Sequence, residues 1–182
     1  YTLIAGPTTI PGVASQSLYL ATGIFPAPAG SNVVTVSFSA PASSPELRIA
    51  EYAGVASSGA VVGGSAATGT DAVSATGGLA VGVQAGILVA ANYSLVSTTT
   101  AGSGYAARLV TSPAGNLLED ATFTAPGTFS ASATLSAAAQ LSGSKWPMRL
   151  SFPWTLLLSE RSDIPGLPNM PLAPSLKTDI WA

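Results

Sequence analysis

The segment "GTFSASATLSA", Gly127–Ala137, changes chemical character at nearly every step. Phe129, Ala131, Ala133 and Leu135 fall on one side, with Ser130, Ser132 and Thr134 on the other. A period of two belongs to extended chain, whose side chains point alternately to opposite faces, and not to a helix. "NVVTVSFSA", Asn32–Ala40, repeats the pattern, with Val34, Val36 and Phe38 set against Thr35 and Ser37. "QSLYLATGIF", Gln16–Phe25, alternates less cleanly, as a strand covered on both faces would. Proline and glycine break the chain at short intervals, as in "IPG" (10–12), "SAPASSP" (39–45), "AGSG" (101–104), "SPAGN" (112–116) and "APG" (125–127). Short strands between regular turn signals predict an all-β, antiparallel β-sandwich of jelly-roll or immunoglobulin-like topology.

Composition agrees. Charged residues make up 8% of the 182 positions, against roughly a quarter in ordinary soluble domains. Ala, Ser, Thr and Gly take their place, which disfavours a helical bundle and suits a pleated surface. Net charge is −2, from six Lys and Arg and eight Asp and Glu. No basic stripe of the kind nucleic acid requires is present. The chain has no cysteine and no histidine, so disulfides, thiolate and imidazole metal sites, and Ser-His-Asp or Cys-His catalysis are all excluded. No cofactor is expected. The longest uncharged stretch, "GGLAVGVQAGILVAANYSLV", Gly77–Val96, holds an apolar core too short for a spanning helix and is predicted as a buried strand, without membrane insertion.

After about Gln140 the composition shifts: six of the 14 prolines fall in the last 42 residues. Residues 1–158 are expected to form the β-sandwich domain, with "KWPMRLSFPWTLLLSE" supplying a last strand. Residues 159–182 are expected to form an extended, Pro-rich arm, since closely spaced proline forbids helix and sheet interior alike. Leu167, Met170, Leu172, Leu176, Ile180 and Trp181 make this arm too apolar for a plain linker. It is expected to pack on this domain or on a neighbouring copy. A mean hydropathy of +0.46 also suggests surface covered by a partner.

Charges are so few that each needs a reason. Counting alternately from Leu47 and Ile49 places Glu51 on the apolar face of its strand, and Arg108 shares a face with Val110. A lone buried charge is costly, so an ion cluster of Glu51, Arg108, Glu119 and Asp120 is expected, with Arg108 as its hub. The rival reading takes carboxylates as catalysts. Glu119 and Asp120 are adjacent, so a strand turns them to opposite faces; Glu119 with Glu51 is the pair able to flank a glycosidic bond. A calcium loop would draw on Asn116 and the two acids, a thin ligand set. Ser142 and Lys145 have the S-x-x-K spacing of a serine nucleophile with a lysine base, which works only on a helical turn. "NYS", Asn92–Ser94, matches a glycosylation sequon that matters only in a eukaryotic secretory pathway. Tyr19, Tyr52, Tyr93, Tyr105, Trp146 and Trp154 offer a sugar-stacking row, or simply core.

"YTLIAGPTT", "NVVTVSFS", "LRIAEYAGV" and "RLVTSPAGNLLED" together resemble a β-sandwich module of large secreted multidomain bacterial proteins. The likeness spans about Tyr1 to Phe152, and "LRIAEYAGV" and "RLVTSPAGNLLED" are its most specific parts. Such modules begin with a leading strand or two not seen here, so the resemblance implies a fragment or a domain completed by another chain. "KWPMRLSF" is similar to the Trp-x-Met strand that ends the family, except for Pro147. The resemblance implies a non-catalytic adhesive or scaffold unit, extracellular or at the cell surface. Its expected partners are further copies or neighbouring chains of an assembly. The alternative is a carbohydrate-binding or hydrolytic module, with a glycan as ligand.

Overall fold

A computed structural model describes residues 1–22, 33–56, 58–149 and 155–162, for 22, 140–142, 144–149 and 155–162 through the backbone alone. The described chain is all-β and antiparallel, with no helix among the described residues. β1 (Thr2–Ile10) and β2 (Ala14–Thr22) form a hairpin. β12 (Thr155–Ser162) lies between β2 and β3 (Glu46–Tyr52), giving a four-stranded sheet in the order β1-β2-β12-β3. Residues 159–162, expected in the arm, are thus part of β12. Residues 163–182, the rest of that arm, lie outside the described residues.

The second sheet runs β4 (Ser65–Ala75), β11 (Ser132–Arg149), β6 (Gly86–Ser94), β9 (Leu117–Phe123), β8 (Ala106–Val110), with β7 (Thr98–Thr100) also paired to β11. A ribbon of β5 (Leu79–Val81) and β10 (Gly127–Phe129) completes the ladders.

Alternation decides what each strand buries. In β6 all nine residues are buried. Ile87, Val89 and Ala91 meet Leu18, Leu20 and Ala50 of the four-stranded sheet. Leu88, one step out of phase, packs on the opposite face with Val81 and Phe123, against Leu79 and Phe129. The Phe123 and Phe129 rings lie 5.1 Å apart, within the range of a tilted aromatic contact. Covering on both sides is why β6 reads as a continuous apolar run.

The expected alternation of 127–137 holds: Ala131, Ala133 and Leu135 are buried, Ser130 and Thr134 exposed. In 33–38 it survives only in burial. Val34, Val36 and Phe38 are half-buried between exposed neighbours, with no ladder assigned.

Candidate functional site

β3 faces inward with the residues opposite to those expected. Glu51 is exposed; Arg48, Ala50 and Tyr52 point into the interior, with Arg48 2% exposed. This corrects both the placement of Glu51 on the buried face and its membership of the ion cluster. Leu47 and Ile49 are only part-covered on the outer face. The physical reason lies across the interior, in groups that only a donor can satisfy. Arg48 Nη1 donates to the carbonyls of Asn92 (2.8 Å) and Leu117 (2.6 Å).

Those two residues follow the last β6–β9 pair, Ala91 with Leu118. The guanidinium therefore closes the end of that ladder, together with Asn92, whose Oδ1 accepts from Leu117 N at 2.7 Å. Glu46, two residues before Arg48 and so on the same face, stands 3.3 Å from Arg48 Nε. Its carboxylate also accepts from Thr111 Oγ1 and Asn116 Nδ2, each at 3.0 Å. Asn116 Oδ1 in turn accepts from Ser94 N. Three charged or amide residues absent from the expected cluster (Glu46, Arg48 and Asn92) thus sit at the centre of a buried network. The scarcity of cations and the in-phase spacing of Arg48 with Ala50 and Tyr52 were the sequence signals for it.

A second polar link lies four residues along β3. Tyr52 OH donates to Asp120 Oδ2 at 2.8 Å, and Arg108 Nε donates to the same oxygen at 2.7 Å. Arg108 and Asp120 are thus brought together, with the Arg108 side chain 30% exposed and Asp120 buried. The hydrogen bond to Asp120 raises the Arg108 pKa. Burial, then the Asp120 charge, pushes the Tyr52 phenol far up, so it remains a donor throughout the ordinary pH range.

Glu119 points the other way. Its Oε2 accepts from Gly102 N at 2.8 Å, and it is 3% exposed. Burial pushes its carboxyl up to about 7, with the Gly102 N–H opposing and the Asp120 charge adding to the rise. Burial and the Glu119 charge push Tyr105 up to about 12, and the Tyr105 hydroxyl is buried without a hydrogen-bond partner among the described residues. A carboxyl that titrates near neutrality has the profile of a general acid. The cavity beside it measures only about 10 Å³, lined by Ser74, Thr76 and Ala133 among others. That is room for about one water and not for a substrate group.

The remaining site residues do not converge. Glu51 lies on the outer face of one sheet, and Glu119 on the far face of the other, so no cleft holds both. Ser142 and Lys145 both lie in β11. Three residues apart on extended chain their α-carbons are roughly 10 Å apart, without the helical turn that chemistry needs. Asn116 and the acids serve separate partners, and no group of three acids is gathered among the described residues. Asn92, the sequon residue, is buried and donates to Thr98. Tyr93 belongs to a core cluster with Ile10 and Ala14, and Tyr52 to the link just described. Trp146 and Trp154 fall outside the described side chains.

Comparison of the chain with protein-family models, curated proteins and solved structures finds no match in any of the three.

Proposed function

We propose that this chain is a non-catalytic structural or adhesive module of an extracellular or surface assembly. It associates with further copies or neighbouring chains through its sheet edges and its apolar C-terminal arm. The stacked sheets are read with it as a β-sandwich of jelly-roll or immunoglobulin-like topology, a module of a large secreted bacterial protein. One observation carries the reading: the two seams where the sheets meet are built differently. Along β3, the buried charges Arg48, Glu46 and Asp120 are used up in joining one sheet to the other. Along β1 and the approach to β4, the seam borders a shallow, uncharged groove of about 480 Å³ that is open to solvent. Among the described residues β1 and β4 are the end strands of their sheets, and edge strands offer unpaired backbone groups to another chain.

Light scattering coupled to size exclusion tests the proposal. The expected result is a mass that rises with concentration, and a loss of stability when residues 163–182 are removed. A chain that stays monomeric at every soluble concentration, and folds unchanged without those residues, overturns it.

A further inference from the structure

The groove lies between Ile4 and Ala5 of β1 and residues 61–66 at the start of β4. Val61, Val62 and Ala66 add to its apolar lining, and Gly63 and Gly64 bring bare backbone to its wall. Val62, in its wall, is 38% exposed. It is a shallow, open depression and not an enclosed pocket, so it suits a segment laid along it and not a small molecule. It holds no charged residue, and its wall mixes apolar side chains with the bare backbone of Gly63 and Gly64 and with Ser65, which suits an uncharged segment that carries apolar side chains and free carbonyls.

We infer that this groove is the seat of the chain's own C-terminal arm, Leu167–Pro174. Pro165, Pro168, Pro171 and Pro174 recur every third residue, the period of the polyproline II helix. Period three sets the prolines along one ridge and Ile164, Leu167, Met170 and Ala173 along a second. A segment with that period, if it takes up the polyproline II form, offers two apolar ridges at little entropic cost to a shallow uncharged groove.

The path is short enough. β12 ends at Ser162 opposite Ser15, and Ser15 stands opposite Thr9 of β1. Two strand spacings, about 10 Å, therefore separate the end of β12 from β1. Pro165-Gly166 is the dipeptide of a type II turn, placed where the chain must reverse. Eight residues of polyproline II then span about 25 Å, against the roughly 15 Å from Thr9 back to Ile4. A seated arm covers the β1 edge of an isolated chain. Exchanged between crowded copies, the same contact becomes a link; only that last step rests on the proposed assembly role.

The chain has no cysteine, so paired cysteines report the seat without background. Val62→Cys with Met170→Cys is treated with a short bismaleimide in dilute full-length protein. A control pairs Thr122→Cys, exposed on the other sheet, with the same Met170→Cys. The expected product is an intramolecular 62–170 cross-link at monomer mass, at least tenfold over the control. Equal yields from both pairs, or a product mostly of dimer mass, overturn the inference. Should the cysteine pair misfold, Met170→Asp in the otherwise native chain serves instead: binding of an apolar dye is expected to rise severalfold, and no change overturns the seat. Light scattering on the same samples separates the two proposals. A missing cross-link in a chain that still associates sinks the seat alone, and a cross-linked chain that never associates sinks the assembly role alone.

Discussion

The Glu119 carboxyl is 3% exposed, and its hydrogen bond from Gly102 N–H does not offset the loss of water. Its pKa rises from 4.5 to about 7 on folding, so the unfolded chain gives up this proton first. The group's contribution is complete below pH 4.5 and is lost as pH climbs to about 7, by on the order of 3 kcal/mol. Urea midpoints between pH 4 and 8 are expected to fall across that window, and to flatten in Glu119→Gln. A midpoint difference between the two proteins that does not change with pH removes the account. Arg48 makes a different demand, because removing it strands two carbonyls and the Glu46 carboxylate. Arg48→Ala is expected to cost about 3–5 kcal/mol, and Arg48→Lys to recover only part, since an ammonium lacks the planar fork. A loss under about 1 kcal/mol in denaturant titration would contradict the network. That Arg48 and not Glu51 faces inward was illegible from "LRIAEY" alone. Its two carbonyl partners lie 44 and 69 residues away, and a one-residue change of phase moves every side chain across the sheet. Asp120 was legible because Arg108 lies only 12 residues from it, in the hairpin partner of its own strand.

Strands announce themselves in the sequence where one face is wet. The 127–137 segment does so, since Ser130 and Thr134 meet solvent while Ala131, Ala133 and Leu135 do not. β6 shows itself by the absence of polar residues from Gly86 to Ala91, as both of its faces are covered. Leu88→Ala tests the less obvious cover, that of the β5–β10 ribbon. A cost of about 2–5 kcal/mol is expected if Val81 and Phe123 enclose the side chain. A cost near zero in chemical denaturation would mean that the ribbon leaves this face open. Residues 33–38 mark the limit of the pattern: alternation there reports half-burial without a ladder. Sequence periodicity records which side is dry, not which strand lies alongside. In the β8–β9 turn one position is constrained twice. Gly115 has φ +72°, and a Cβ there would lie 2.6 Å from Ser97 Cα. Gly115→Ala therefore meets both a left-handed backbone and a steric clash, and is expected to lose more than about 1 kcal/mol in thermal unfolding. An unchanged Tm would show that the turn can relax.

At the scale of the whole molecule the two seams oppose each other. One is bridged by hydrogen bonds from Arg48 and Tyr52, of the kind worth about 1.5–3 kcal/mol each when a charge is involved. The other has β1 beside β4 and a shallow, uncharged groove between them. Local opening follows the cheapest route, so the sheets should part first along β1. Hydrogen exchange in urea below the unfolding midpoint reads this directly. Amides of the β1–β2 hairpin are expected to exchange through small openings that depend little on urea. Those of β3, β6 and β9 should wait for global unfolding. Arg48→Met is the decisive variant, because it removes the bridge while retaining a long apolar side chain. It should draw β3 and the 92–117 end of the β6–β9 ladder into the early class, and leave β1 where it was. Simultaneous exchange of all the strands in the native protein would mean that the seams are equally strong. Early exchange at β3 before β1 would reverse the order argued from the bonds themselves.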